Sequence, residues 1–99
     1  MSPEGEGGFA PPPFQPGNAL PGLKRALREL KLAERGAGFE LRGKRVLELA
    51  VEPASITARL ARRLAMTPEW DTLHVRNAAD QRKLLDEVKK RLARWEHED

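Results

Sequence analysis

The chain has 99 residues and a mass of 11.1 kDa, a length that fits one small domain. Hydrophobic residues make up 39% and charged residues 33%, which indicates a globular protein. The absence of cysteine excludes a disulfide framework, a thiolate zinc site and thiol catalysis. No secretory signal and no apolar stretch of membrane-spanning length is visible, so we expect a cytoplasmic protein without membrane contact.

Thermally labile residues are scarce, since Asn, Gln and Met occur twice each. This scarcity, together with abundant charge, is typical of heat-adapted proteins. A GC-rich genome biases composition in the same direction, so both explanations stay open.

Proline and glycine dominate residues 1–19. Such a segment cannot continue a helix or a sheet ladder, and it holds few apolar groups to offset the entropy of ordering. We therefore expect a disordered, flexible N-terminal arm over residues 1–19. Its sizeable apolar side chains are Phe9 and Phe14. In the alternative interpretation these two are partner-binding residues on a polyproline II arm that docks on a partner or on its own domain.

Residues 20–96 form the predicted single domain, followed by an acidic tail end over residues 97–99. Leucines at helical spacing, with Asn18 as a cap, predict a first helix that ends at Gly36 and Gly38. The next segment, residues 39–51, alternates apolar and polar side chains on both sides of a turn at residues 42–44, which predicts a β-hairpin.

A second helix is predicted from Pro53 and Ser55, where Ser55 acts as the cap and Ile56, Leu60 and Leu64 form the apolar face. A short strand over residues 73–75 and a final helix capped by Asn77 follow. The apolar stripe of that helix consists of Leu84, Leu85, Val88, Leu92 and Trp95. The predicted order is α-β-β-α-β-α, an α/β fold of the α+β two-layer sandwich type on a three-stranded mixed sheet.

Charge is unevenly distributed along the chain. Residues 20–94 hold all 18 Lys and Arg against 10 acidic residues, a formal charge of +8, whereas the whole chain carries +3. Residues 53–68 contain three arginines and no acid. Clustered arginines suit phosphate recognition and attract polyanions. The plainer alternative is a solvated face opposite an apolar stripe.

Catalytic and metal-binding patterns are missing from the sequence. His74 and His97 have no metal-ligand spacing, and neither Ser2 nor Ser55 lies in a nucleophile elbow. The glycines form no phosphate-cradling loop. We therefore expect no enzyme activity, no cofactor and no metal.

Three segments, residues 20–36, 46–65 and 71–77, together resemble the KH-like domain of the DciA family of bacterial replicative helicase loaders. The resemblance implies a helix, a strand, a second helix and a final strand. The sequence departs from the family by lacking a tryptophan-centred segment between the first helix and the strand, and by an additional terminal helix over residues 80–95. The functional interpretation does not depend on this resemblance.

We interpret the chain as a small non-enzymatic binding protein whose basic surface contacts the backbone of RNA or DNA. The candidate phosphate-contacting residues are Arg42, Lys44, Arg45, Arg59, Arg62 and Arg63. The alternative is a protein-interaction module or homodimeric adaptor or regulator with no nucleic-acid role. In that alternative, strand 39–41 pairs with its symmetry mate, or the stripe ending in Trp95 is shared between subunits.

Overall fold

The structure is a computed structural model that describes residues 14–97. Within this range the chain forms two helices and five strands. Their bounds are α1 Pro16–Glu29, β1 Ala33–Arg35, β2 Gly38–Leu41, β3 Lys44–Val51, β4 Ile56–Ala61, β5 Trp70–Val75 and α2 Ala78–Trp95.

The five strands form one sheet in the order β1-β2-β3-β4-β5, and every neighbouring pair is antiparallel. Each strand therefore lies beside the strand that precedes it in the chain. The predicted α+β class fits this architecture. The predicted α-β-β-α-β-α order and the three-stranded mixed sheet were wrong.

The main error is the second helix, because residues 56–61 form strand β4. Ile56, Ala58 and Leu60 are buried, while Thr57 and Arg59 between them face the opposite side. This alternation has the period of a strand. The same sequence also offers a helical spacing, and pairing on both sides of β4 decided between the two. Ser55 accordingly lies in the β3–β4 connection and caps no helix.

The hairpin prediction was correct, since β2 and β3 pair around a turn at residues 42 and 43. Arg42 and Gly43 both have positive φ values, 55° and 79°, which is the backbone form that a tight two-residue turn requires. The register shifts at Phe39 and Glu40. This bulge allows both Val46 and Leu47 to be buried on β3.

Helix α1 begins at Pro16 and ends at Glu29, so it starts and stops earlier than predicted. Gln15, rather than Asn18, occupies the N-cap position. Residues 16–19, which the sequence assigned to the arm, form the first turn of α1. Phe14 is partly buried against the core. Residues 1–13, including Phe9, lie outside the described residues.

Strand β1 was missed entirely, because three residues give no periodic signal. It follows Lys31, whose φ of 72° turns the chain out of the helix. The predicted third strand is confirmed, although it begins at Trp70 rather than at residue 73.

Helix α2 has the predicted cap, since the side chain of Asn77 accepts a hydrogen bond of 2.7 Å from the backbone N–H of Asp80.

Both helices pack on one face of the sheet. Leu23 and Leu27 of α1 and Leu84, Val88 and Trp95 of α2 share one core with the sheet. No described element covers the opposite face, which we call the open face. Neither helix of the described segment combines the length and apolar character that a membrane crossing needs.

Candidate nucleic-acid interface

One end of the sheet gathers basic side chains from separate elements. The β2–β3 turn, the start of β3, the end of β4 and the C-terminal end of α2 all lie at this end, because neighbouring strands are antiparallel. Arg94 of α2 confirms the proximity, since its Nη2 donates a hydrogen bond of 3.2 Å to the backbone oxygen of Arg62. We define the basic end as Arg42, Lys44, Arg62, Arg63 and Arg94.

Arg62 is largely neutralised by neighbouring carboxylates. Its Nε lies 2.7 Å from Oδ1 of Asp71, and its Nη1 lies 3.4 Å from Oε1 of Glu69. The hydrogen bond with Asp71 raises the pKa of the Arg62 guanidinium and is the main cause that lowers the pKa of Asp71. Arg62 therefore organises the β4–β5 loop more than it offers charge to a ligand.

Three other cations of the basic end form no ion pair with any residue between 14 and 97. Arg63 and Arg94 are exposed and Lys44 is half-buried. They come from the β4–β5 loop, helix α2 and strand β3. Adjacent strands lie about 4.8 Å apart, so the starts and ends of β2, β3 and β4 fit within roughly 10 Å across the sheet. A phosphate-bearing polymer would meet several of these charges together.

The open face carries the second group of predicted cations. Arg59 of β4 stands directly opposite Glu48 of β3, and its Nη1 lies 3.0 Å from Oε1 of Glu48. Arg45 approaches the same carboxylate, with its Nε 4.0 Å from Oε2. The Arg45 guanidinium occupies the space that a Cβ atom on Gly38 would need. Glu48 thus holds two guanidinium groups side by side.

Trp70 of the edge strand β5 extends the row of side chains formed by Arg45, Glu48 and Arg59. Its partner in the register is Ala61, and the guanidinium carbon of Arg59 lies 5.2 Å from the centroid of its ring. This distance is a cation–π contact. A cavity of about 330 Å³ lies on the other side of Arg59, lined by Ala37, Arg45, Glu48, Leu49, Ala50, Thr57 and Arg59.

The six predicted residues therefore fall into two neighbouring groups. Arg42, Lys44, Arg62 and Arg63 belong to the basic end. Arg45 and Arg59 lie on the open face, where both contact Glu48. Arg94, which joins the basic end, was not predicted.

Helix α2 holds a larger set of cations that sequence reasoning missed. Arg82, Lys83, Lys89 and Lys90 are exposed, and none pairs with an acidic residue in the described part of the chain. Lys83 and Lys90 lie on the same side of the helix as Arg94. Arg91 of the same helix pairs with Glu87, one turn earlier, at 2.8 Å. The signal was the predominance of Lys and Arg at the exposed positions of this helix.

Other chemistry finds little support within residues 14–97. No group of three or more His, Asp or Glu side chains there is placed to hold a metal ion. His74 is exposed on β5, with its Nδ1 3.5 Å from Oγ1 of Thr57.

The fold and the site define a small α+β domain with a basic end and an open face that no element of residues 14–97 covers. Comparison of the chain with protein-family models, curated proteins and solved structures gives no match. The resemblance to the DciA KH-like domain also fails on the fold, because residues 46–65 form two strands and a loop rather than a strand and a helix.

Proposed function

We propose that this protein binds the sugar-phosphate backbone of nucleic acid through the basic end, without catalysis. The observation that carries the proposal is the grouping of Lys44, Arg63 and Arg94, three cations from three elements with no carboxylate partner among residues 14–97. The described residues carry 18 basic against 11 acidic side chains, so the surroundings reinforce the local field. Contacts of this kind give affinity without reading sequence.

Fluorescence anisotropy of a labelled single strand and a labelled duplex tests the proposal with the full chain. We expect dissociation constants at or below about 10 μM at about 50 mM salt, and a steep loss of affinity at about 200 mM, because binding releases counterions. Absence of binding to both probes at the lower salt overturns the proposal.

A pair of matched variants locates the site. Lys44→Glu/Arg63→Glu changes the basic end, and Arg25→Glu/Arg76→Glu makes the same change of net charge at exposed positions elsewhere. We expect the first to weaken binding at least about tenfold and to reduce the salt slope by about 1.5–2, because two phosphate contacts are lost. The second should stay within about threefold. Equal weakening by both would mean that net charge alone drives binding.

A second candidate function is protein interaction through strand β5. Its outer edge pairs with no described strand, and an unpaired strand edge is a template for β-augmentation. The sequence suggested a homodimer through strand 39–41 or through the stripe ending in Trp95. Neither feature is accessible to a partner among residues 14–97, because β2 has neighbouring strands on both sides and Trp95 is fully buried. Light scattering at about 100 μM tests a β5-mediated dimer, since association follows mass action. A strict monomer excludes it.

A further inference from the structure

We infer that the open face binds single-stranded nucleic acid, with one base stacked on Trp70 and the adjoining phosphates held by Arg59 and Arg45. This inference rests on the proposed function and names its substrate class. It starts from the row formed by Arg45, Glu48, Arg59 and Trp70, which crosses three neighbouring strands on the open face of the sheet.

Trp70 differs from the other aromatic side chains that the structure describes. Phe39 and Trp95 are fully buried on the helix side, whereas Phe14 and Trp70 are partly buried and pack against the core. Of these, Trp70 lies on the open face, because its register partner Ala61 follows Arg59 by two positions on the same side of β4. Arg59 already lies over the Trp70 ring, so a base stacks on the part of the ring that Arg59 and the core leave exposed. Stacking is available to any base, since every base has a π face.

Arg59 is held in place and still has capacity for a ligand. Glu48 accepts from its Nη1, and the guanidinium lies over the Trp70 ring. An arginine has five N–H donors, and the Arg59 side chain is 49% exposed. Its remaining donors can therefore contact a phosphate while the ring and the carboxylate fix its position.

The position of Trp70 connects the open face with the basic end. Ala61, its register partner, directly precedes Arg62 and Arg63, and the N–H of Arg62 donates to the backbone oxygen of Glu69 next to Trp70. A strand bound along the basic end therefore passes Trp70 as it turns onto the sheet. The acidic groups on this route are Glu48, Glu69 and Asp71, and each is already paired with an arginine, which lowers its repulsion of phosphates.

Single strands fit this arrangement better than duplexes do. In a duplex the base faces are stacked on one another, whereas in a single strand they are free to stack on an aromatic ring. The row from Arg45 to Trp70 spans β3, β4 and β5, a width of roughly 10 Å. A flexible single strand can follow that row, whereas a rigid nucleic-acid duplex cannot place a base against Trp70.

The test compares an oligothymidylate of about 12 nucleotides with a mixed-sequence duplex of the same length, using the full chain and Trp70→Leu. We expect the variant to lose at least about tenfold in affinity for the single strand and to bind the duplex within about twofold of the unaltered chain. Trp70→Phe keeps an aromatic face and should retain most of the single-strand affinity. Val51→Ala, which trims an exposed apolar side chain on the other side of β3, should change neither.

A second measurement does not depend on a variant that folds. Trp95 is fully buried and Trp70 is not, so quenching of tryptophan fluorescence by a bound strand reports Trp70. We expect quenching with the oligothymidylate and little with the duplex. Binding without quenching, or equal losses for both probes in Trp70→Leu, overturns the inference while leaving the proposed function intact. If the unaltered chain binds neither probe, the proposed function itself is overturned.

Discussion

Nη2 of Arg91 lies 2.8 Å from Oδ2 of Asp71, which joins the C-terminal half of α2 to the edge strand β5. The same guanidinium donates to the backbone oxygens of Leu60 and Ala61 at 3.3 Å and 3.1 Å, and to the carboxylate of Glu87 at 2.8 Å. Its side chain is only 11% exposed. Arg91 therefore closes the end of β4 against α2 and supports the scaffold on which the basic end is built.

Replacement of Arg91 should destabilise the protein more than any exposed charge does. We expect Arg91→Ala to cost about 2–3 kcal/mol, because four nearby acceptors lose a charged donor in a largely buried setting. Arg91→Lys should recover only part, since an ammonium cannot reach backbone and carboxylate acceptors in the same fork. Thermal unfolding followed by circular dichroism measures both, with Lys89→Ala as the exposed control. Equal melting temperatures for Arg91→Ala and Lys89→Ala would contradict the scaffold role.

Asp71 should contribute to the pH dependence of stability. Its folded pKa is lowered, first by the hydrogen bond from Arg62 and then by that from Arg91, whereas the unfolded chain has a value of about 3.9. The stabilisation is therefore fully present above the unfolded value and is lost as the pH falls through the folded one. We expect Asp71→Asn to melt below the unaltered chain at pH 7 and the difference to shrink below about pH 4. A gap that stays constant to pH 2.5 would show that the Asp71 charge is not the cause.

Gly38 and Gly22 should respond to alanine with opposite signs. A Cβ at Gly38 would lie 2.5 Å from the backbone oxygen of Leu47 and would overlap the guanidinium of Arg45. We expect Gly38→Ala to cost about 1–3 kcal/mol, because β2 and β3 must separate to make room. Gly22 lies inside α1, and a Cβ added there would meet no atom within 4 Å. Gly22→Ala should therefore stabilise the protein by about 0.5–1 kcal/mol. Urea unfolding of the two variants gives both numbers, and a stabilised Gly38→Ala would mean that the bulge absorbs the methyl group.

Trp95 should tolerate phenylalanine far better than alanine. The side chain is fully buried, and its Nε1–H has no acceptor among the described residues. Phenylalanine removes this unsatisfied donor while keeping most of the ring, so the two effects should cancel to within about 1 kcal/mol. Alanine leaves a cavity and should cost about 3–5 kcal/mol. If Trp95→Phe is as damaging as Trp95→Ala in thermal unfolding, the indole N–H must have a partner.

Local signals in the sequence were sufficient for the hairpin and the last helix. The turn at Arg42 and Gly43 separates two alternating segments, and Asn77 followed by Asp80 starts a helix with a clear apolar stripe. These features depend on residues close together in the chain, where backbone preference and side-chain caps act directly. The excess of basic side chains is likewise a property of the amino-acid sequence alone.

Residues 56–61 show where local information ends. Ile56 and Leu60 fit both a helical stripe and an alternating strand, and alanine, arginine and leucine favour a helix in isolation. Strands β3 and β5 on either side supply hydrogen bonds to both edges of this segment, and a backbone so enclosed is stabilised as a strand.

The same holds for the candidate site. The sequence by itself determined that the domain is basic, that it ends in a capped amphipathic helix and that arginines crowd residues 53–68. Only the tertiary structure decided which charges are used internally, such as Arg62 with Asp71, and which elements meet in space, such as Arg94 of α2 with the backbone of Arg62. It also decided that Trp70 lies on the open face of the sheet beside Arg59. The physical reason is that charge and hydropathy are properties of single residues, whereas ion pairing and exposure depend on neighbours that are distant in the chain and brought together by strand pairing.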